Sequence, residues 1–179
     1  VISDVGSHKL WVARQYFANQ PNTVLISNGL ASMGFALPGA IAAKLACPDK
    51  KVIMPDTQAG CPMADMLTAA DLRKLKAKHP KAVVVGYVNT SAEVKAELDY
   101  CCTSSNAVAV VRALADSKEI IFVPDKYLAD YVSKQTGIKL IGWNGYCPTH
   151  AKIAPEDIKR QKILHPQAKV IVQPECRPE

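Results

Sequence analysis

The stretch Cys61-Pro62-Met63-Ala64-Asp65-Met66-Leu67-Thr68-Ala69-Ala70-Asp71-Leu72-Arg73-Lys74-Leu75-Lys76-Ala77-Lys78-His79-Pro80-Lys81-Ala82-Val83-Val84-Val85 decides the fold. It reads as a helix over about 63–78 that stops at His79-Pro80, followed at once by a β-branched strand over about 82–87. The same signals return 86 residues later without a gap: Cys147-Pro148, Asp157 and His165-Pro166 stand where Cys61-Pro62, Asp71 and His79-Pro80 stood. Between them Ala70-Asp71-Leu72-Arg73-Lys74 lies over Glu156-Asp157-Ile158-Lys159-Arg160, and strand 82–85 over 168–171. Two copies of one helix–strand module account for this pattern. Chance similarity between Lys-rich helices is the competing explanation.

Outward from this pair the chain alternates. Further helices are expected over about 9–17, 31–46, 92–98, 106–116, 127–135 and 155–164, and strands over about 23–26, 52–54, 119–123, 138–141 and 169–172. Short strands separated by helices imply an α/β fold of repeated βαβ modules with parallel, doubly covered sheets. Punctuation comes from Asn28-Gly29, Gly137, and Gly142 to Gly145.

With 179 residues, 49% apolar and 21% charged, the chain can bury a core for one or two compact units. Its net charge of +6 is spread along helices, with short clusters such as Arg73, Lys74, Lys76 and Lys78. That distribution marks solvated helix faces rather than a nucleic-acid surface. The most apolar region, 24–47, contains Asn28, Pro38 and Lys44 and reads as a strand and a buried helix, not a membrane span. The first residues lack the apolar run of a signal peptide. Six cysteines without such a signal suggest a reducing, cytoplasmic setting, and adjacent Cys101 and Cys102 are poorly placed to bridge each other. Self-association into a homo-oligomer is left open.

Each Cys-Pro stands just before its helix, where the helix dipole favours a thiolate. Cys61 and Cys147, at equivalent places on related modules, could therefore converge on one metal site. An iron–sulfur cluster takes three or four thiolates, so a further ligand is required.

The segment Met54-Pro55-Asp56-Thr57-Gln58-Ala59-Gly60-Cys61-Pro62-Met63-Ala64-Asp65-Met66 resembles the region of the first cluster cysteine in quinolinate synthases. The resemblance continues in order through Tyr87-Val88-Asn89-Thr90-Ser91-Ala92-Glu93-Val94-Lys95, Cys102-Thr103-Ser104-Ser105-Asn106, Pro124-Asp125-Lys126, Gly145-Tyr146-Cys147-Pro148-Thr149-His150 and Pro174-Glu175-Cys176. It implies three related modules around a [4Fe-4S] cluster held by three cysteines, with Cys61 and Cys147 as two of the ligands. The implied reaction, of a transferase in NAD biosynthesis, condenses iminoaspartate with dihydroxyacetone phosphate to quinolinate, the open iron acting as a Lewis acid. His150, Glu175 and Tyr87 are then the implied catalytic groups, and Tyr87, Asn89, Ser104, His150 and Glu175 the substrate contacts.

Read from chemistry alone, Thr103 to Asn106 opens a helix and can either cap it or hold an anion. Tyr87 and Asn89 end a strand, where loops of parallel sheets face ligands. His150 can donate to a carboxylate or shuttle a proton; His79 and His165, at helix ends, read as structural. Gln173 stands where the family's last motif has histidine. A third module with its cysteine is not recognised, so the chain is expected to be incomplete or inactive by itself. Cys101, Cys102 and Cys176 are substitutes for the missing ligand, with packing as their alternative role.

The first 53 residues resemble something else. Asp4-Val5-Gly6-Ser7-His8, Trp11 and Ser27-Asn28-Gly29-Leu30-Ala31-Ser32-Met33-Gly34-Phe35-Ala36-Leu37-Pro38 are similar to the start of the pyrophosphate-binding domain of acetolactate synthases. That likeness implies thiamine diphosphate with Mg²⁺ near Gly29, Ala31 and Met33, although Val52-Ile53 runs into Met54-Pro55-Asp56 where the Gly-Asp-Gly metal motif would stand. The expected organisation is a chimera: 1–53 an acetolactate-synthase-like βα fragment, 54–140 one quinolinate-synthase-like module, 141–179 the start of a second. A thiamine-dependent carboligase fragment and a non-catalytic α/β scaffold are the alternatives.

Overall fold

A computed structural model of the chain describes residues 1–28, 34–56 and 60–178, which fall in two compact units, 1–58 and 59–179. The first is small. Strand β1 (Ile2–Ser3) pairs in parallel with β2 (Leu25–Ile26), and helices α1 (Ser7–Gln15) and α2 (Ala36–Ala46) accompany them. Burial pushes the Asp4 carboxyl up, but the N–H groups of Val5, Ala36, Gly34 and Phe35 around it prevail and leave it below the usual range. Asp4 thus ties the β1 loop to the start of α2. The expected buried helix is not buried: Leu37, Ile41 and Leu45 of α2 are exposed, because β1 and β2 are too short to cover a helix face. Nor does 52–54 form a strand, having no hydrogen-bonding neighbour among the described residues.

The second unit is built on a four-stranded, all-parallel sheet in the order β4 (Tyr100–Cys102), β3 (Ala82–Tyr87), β5 (Glu119–Val123), β6 (Ile141–Gly142). Strand side chains alternate between two faces, and both are covered, as parallel sheets require. Val85, Ile120 and Phe122 pack with Ala107 and Val111 of α5 (Ala107–Ala113) and Leu128, Ala129 and Val132 of α6 (Lys126–Thr136). On the other face Val84, Ile121 and Val123 meet Leu72 of α3 (Ala69–Lys78) and Val94 of the short α4 (Ala92–Lys95). Helices α3, α4 and α6 begin on side-chain caps: Thr68 accepts from the Asp71 N–H at 3.2 Å, Ser91 from Val94 at 3.3 Å, and Asp125 from Tyr127 and Leu128 at 2.8 Å each. Gly137, at φ 74°, closes α6 in the left-handed conformation that glycine adopts without strain.

The 86-residue repeat is present down to single hydrogen bonds. Helix α8 (Pro155–Leu164) lies 86 residues after α3, and their C-caps His79 and His165 share nearly the same backbone angles. Asp65 N–H donates to Cys61 C=O at 3.0 Å, and Ala151 N–H to Cys147 C=O at 2.9 Å at the start of α7 (Pro148–Ala151). Ala82 N–H to His79 C=O and Ala168 N–H to His165 C=O are both 3.0 Å. The strand expected over 169–172 is absent, however, and Val170, Ile171 and Val172 are exposed, because no described segment offers them a hydrogen-bonding neighbour. Edge strand β4 was not anticipated; three residues with two cysteines carry too weak a β pattern.

Candidate active site

All four strands of the sheet run the same way, so their carboxyl ends open on one side, where α/β folds collect ligand-facing loops. Tyr87 ends β3 and leads to Asn89 and Thr90; Cys102 ends β4 and leads to Ser104; Val123 ends β5 and leads to Asp125; β6 leads to Gly145 and Cys147. The candidate residues, scattered in sequence, are therefore delivered to one edge by topology.

Three contacts knit this edge together. Asn89 Nδ2 donates to Cys61 Sγ at 3.4 Å, leaving Asn89 Oδ1 buried without a partner among the described residues. Tyr87 is half-buried, with Glu175 and Ser104 near enough to act on its hydroxyl. Burial first, and then the Glu175 charge, push it up to about 12, with Ser104 acting in the opposite direction. The phenol is therefore neutral throughout the physiological range and is a donor. Glu175 is brought in by a turn in which Cys176 N–H donates to Gln173 C=O at 3.0 Å, and only 3% of it is exposed. Asp125, wholly buried, is the third centre. Burial drives its carboxyl up and the nearby Glu175 adds to this, while the N–H groups of Leu128, Tyr127 and Cys147 pull it down.

His150, on α7, has its Nδ1 buried and without a hydrogen-bond partner among the described residues, as is Thr90 Oγ1. The 103–106 turn resolves the choice between capping and anion binding only in part. Asn106 Oδ1 folds back to accept from Thr103 N–H at 2.7 Å, and the Thr103 and Ser105 hydroxyls bond each other at 2.8 Å. Ser104 takes no part in these bonds and lies near Tyr87. His79 pairs with Glu119 at 3.2 Å, away from these loops. All six cysteines are free, with Cys61, Cys147 and Cys176 half-buried, Cys102 buried, and Cys47 and Cys101 exposed. Among the described residues no three His, Cys, Asp or Glu side chains form a metal-holding group. Gly29, Ala31 and Met33, the residues expected to meet thiamine diphosphate, lie outside the described residues. Asp125 and Thr90 were not singled out beforehand. Asp125 stands in the Pro124-Asp125-Lys126 motif, but an acidic helix cap is so common that only its complete burial distinguishes it.

A sequence profile described as quinolinate synthetase A protein matches residues 2–179. The chain belongs to the quinolinate synthase family. It is 50% identical over 165 residues to the quinolinate synthase of Methanosarcina barkeri, covering 92% of this chain and 52% of that protein. Against the Dehalococcoides mccartyi (strain CBDB1) enzyme identity is 55% over 140 residues, 78% of this chain and 46% of that one. With Methanoregula boonei it is 46% over 178 residues, 99% and 56% respectively. The chain thus spans about half the length of the curated quinolinate synthases it matches. The family match includes the stretch that resembles acetolactate synthases, and it favours quinolinate synthases over a thiamine-dependent carboligase. Among the described residues, no helix is long and apolar enough to cross a membrane.

Proposed function

We propose that residues 59–178 form one side of a quinolinate synthase active site, in which iminoaspartate and dihydroxyacetone phosphate are condensed to quinolinate for NAD biosynthesis. The observation that carries this reading is the gathering of Tyr87, Asn89, Ser104, Asp125, Cys147 and Glu175 on the loops at one edge of the parallel sheet, with Cys61 bonded to Asn89.

The donor set suits an iron–sulfur cluster in two respects. Cys61 and Cys147 are free, half-buried thiols at equivalent places of the repeat, and Asn89 supplies an N–H to one sulfur, a contact that tunes cluster-bound thiolates. Buried polar atoms without partners at Asn89, Thr90, Asp125 and His150 are what a site built around an absent ligand leaves behind. Cys61 and Cys147 would hold a [4Fe-4S] cluster together with a third thiolate. When bound, such a cluster with one open iron supplies a Lewis acid for a substrate oxygen.

The protein groups divide the rest of the work. Tyr87, kept neutral, would donate its O–H to substrate, with Ser104 close by. Glu175, whose charge bears on Tyr87, would take a proton from substrate. The partnerless His150 Nδ1 is available to a substrate carboxylate or to proton transfer. Gln173, exposed on the turn before Glu175, cannot titrate, so proton transfer falls to Glu175 and His150. The cytoplasm is the compartment in which thiols of this kind remain available to iron.

Anaerobic reconstitution of the protein with iron and sulfide, comparing the parent with Cys61→Ala and Cys147→Ala, tests this reading. About four irons per protein in the parent, lost in either variant, is the expected result. A parent that takes up no iron overturns it and leaves a folded α/β scaffold.

A further inference from the structure

Every residue of the loop that leads to Cys147 is tied down, and the ties run in two directions. Trp143 N–H donates to Phe122 C=O of β5 at 3.2 Å. Asn144 Oδ1 accepts from Lys126 Nζ at 3.2 Å. Gly145 forms a parallel bridge with Asp125, and its C=O accepts from Lys126 N–H at 2.9 Å. The Tyr146 ring centre lies 5.1 Å from the same Lys126 ammonium, within cation–π range. These contacts seat the loop on β5 and the start of α6. The Trp143 indole reaches the other way: its Nε1 donates to Met66 C=O at 2.9 Å, across 77 residues of chain.

Met66 belongs to the turn that follows Cys61. Asp65 N–H donates to Cys61 C=O at 3.0 Å, and the N–H groups of Met66 and Leu67 donate to Met63 and Ala64 C=O at 3.3 Å each. Met63, Ala64 and Leu67 are buried, so this turn is one piece with its cysteine. On one side the indole packs against the cluster that contains Leu67 and Leu72. On the other, its Cδ1 lies against Gly145, 3.4 Å from where a Cβ would stand. Packing by itself requires no N–H, and a Phe ring would serve it; the indole bond adds a fixed direction and register.

We propose that Trp143 is a positioning residue for the two repeat cysteines: its indole braces the Cys61 turn against the Cys147 loop and so sets where one thiol stands relative to the other. What the thiols hold rests on the iron–sulfur reading above, whereas the brace itself does not.

NMR and dipolar EPR on the iron-free protein test the brace. The Trp143 indole N–H should exchange with solvent at least about fivefold more slowly than that of exposed Trp11, the scale of one net hydrogen bond. Nitroxide labels on Cys61 and Cys147 read the thiol separation in a Cys47→Ala, Cys101→Ala, Cys176→Ala background, Cys102 being buried beyond labelling. One narrow distance is expected with Trp143 in place. Trp143→Phe keeps an apolar ring without the N–H and should lose that narrow distance, while the Leu128 amide in α6 keeps its protection from exchange. An unprotected Trp143 indole, a broad distance with Trp143 in place, or a variant as narrow as the parent overturns the proposal. So does a variant in which Leu128 loosens to the same degree, since Trp143 is then a general packing residue. If Trp143→Phe does not fold, benzothienylalanine at position 143, with sulfur where the indole has N–H, is read by the same criteria. A brace that behaves as expected in a protein that takes up no iron upholds this inference and sinks the cluster reading alone.

Discussion

Residues 61–87 and 147–173 are two renderings of one module, and they part company at the strand. Both have a Cys-Pro turn, a ten-residue helix beginning eight residues after the cysteine, and a His cap with nearly the same backbone angles. Yet Val85 is 0% exposed in a central strand, whereas Ile171, its counterpart, is 93% exposed in no strand at all. A helix satisfies its hydrogen bonds internally and a strand does not, so only the helical half of the module can form wherever the sequence occurs. The first module has β4 and β5 to pair with β3; nothing described plays that role for the second.

The sharpest way to break this comparison is to truncate equivalent strand residues. Val85→Ala should cost about 2 kcal/mol, and Ile171→Ala less than about 0.5 kcal/mol, by urea denaturation. Equal losses would mean that 168–173 is buried in solution and the two modules are alike. The helix starts offer a smaller test of opposite sign. Thr68 caps α3 through its hydroxyl, while Ala154 has none and relies on Asp157 accepting its N–H at 3.4 Å. Thr68→Ala should destabilise by about 1 kcal/mol, and Ala154→Ser should raise α8 helicity, with a gain of the same order or less. If the serine gives no gain in circular dichroism or melting temperature, the helices are not equivalent at their N-termini.

An effect confined to alkaline pH separates the modules as well. Tyr87 is pushed up from 10 to about 12, by burial first and then by the Glu175 charge; Cys102 is pushed up from 9 to about 12 by burial and Cys101. In both, folding favours the neutral form, so the stability is complete below pH 9 and is lost as pH rises toward 12. The urea midpoint should therefore fall across that range, and Tyr87→Phe should flatten the part above pH 10. Gln173, in Tyr87's place in the second module, cannot titrate, so an unchanged slope in Tyr87→Phe would place the alkaline loss elsewhere in the sheet.

Much of the candidate site was legible because its chemistry-bearing residues sit beside strong local signals. Cys61 and Cys147 were marked by the repeat, Tyr87 and Asn89 by the end of a Val-rich strand, Ser104 by a helix start. The link between Tyr87 and Glu175 and the place of Asp125 beside Cys147 were not legible, since each joins segments far apart in the chain. No local pattern reports that a common helix cap has been buried completely.

By itself the sequence determined the body of the module's helices and their ends at His79 and His165, the β-branched strands β3 and β5 and the 86-residue offset, because propensity and side-chain period act over a few residues. Tertiary structure alone decided that β4 pairs at the edge, that α2 stays exposed, that 168–173 remains unpaired, that Glu175 comes near Tyr87, and that Asp125 joins the candidate site. Those outcomes depend on which segments find a partner for their backbone groups or a cover for their apolar faces, and that is settled by long-range contact rather than by local sequence.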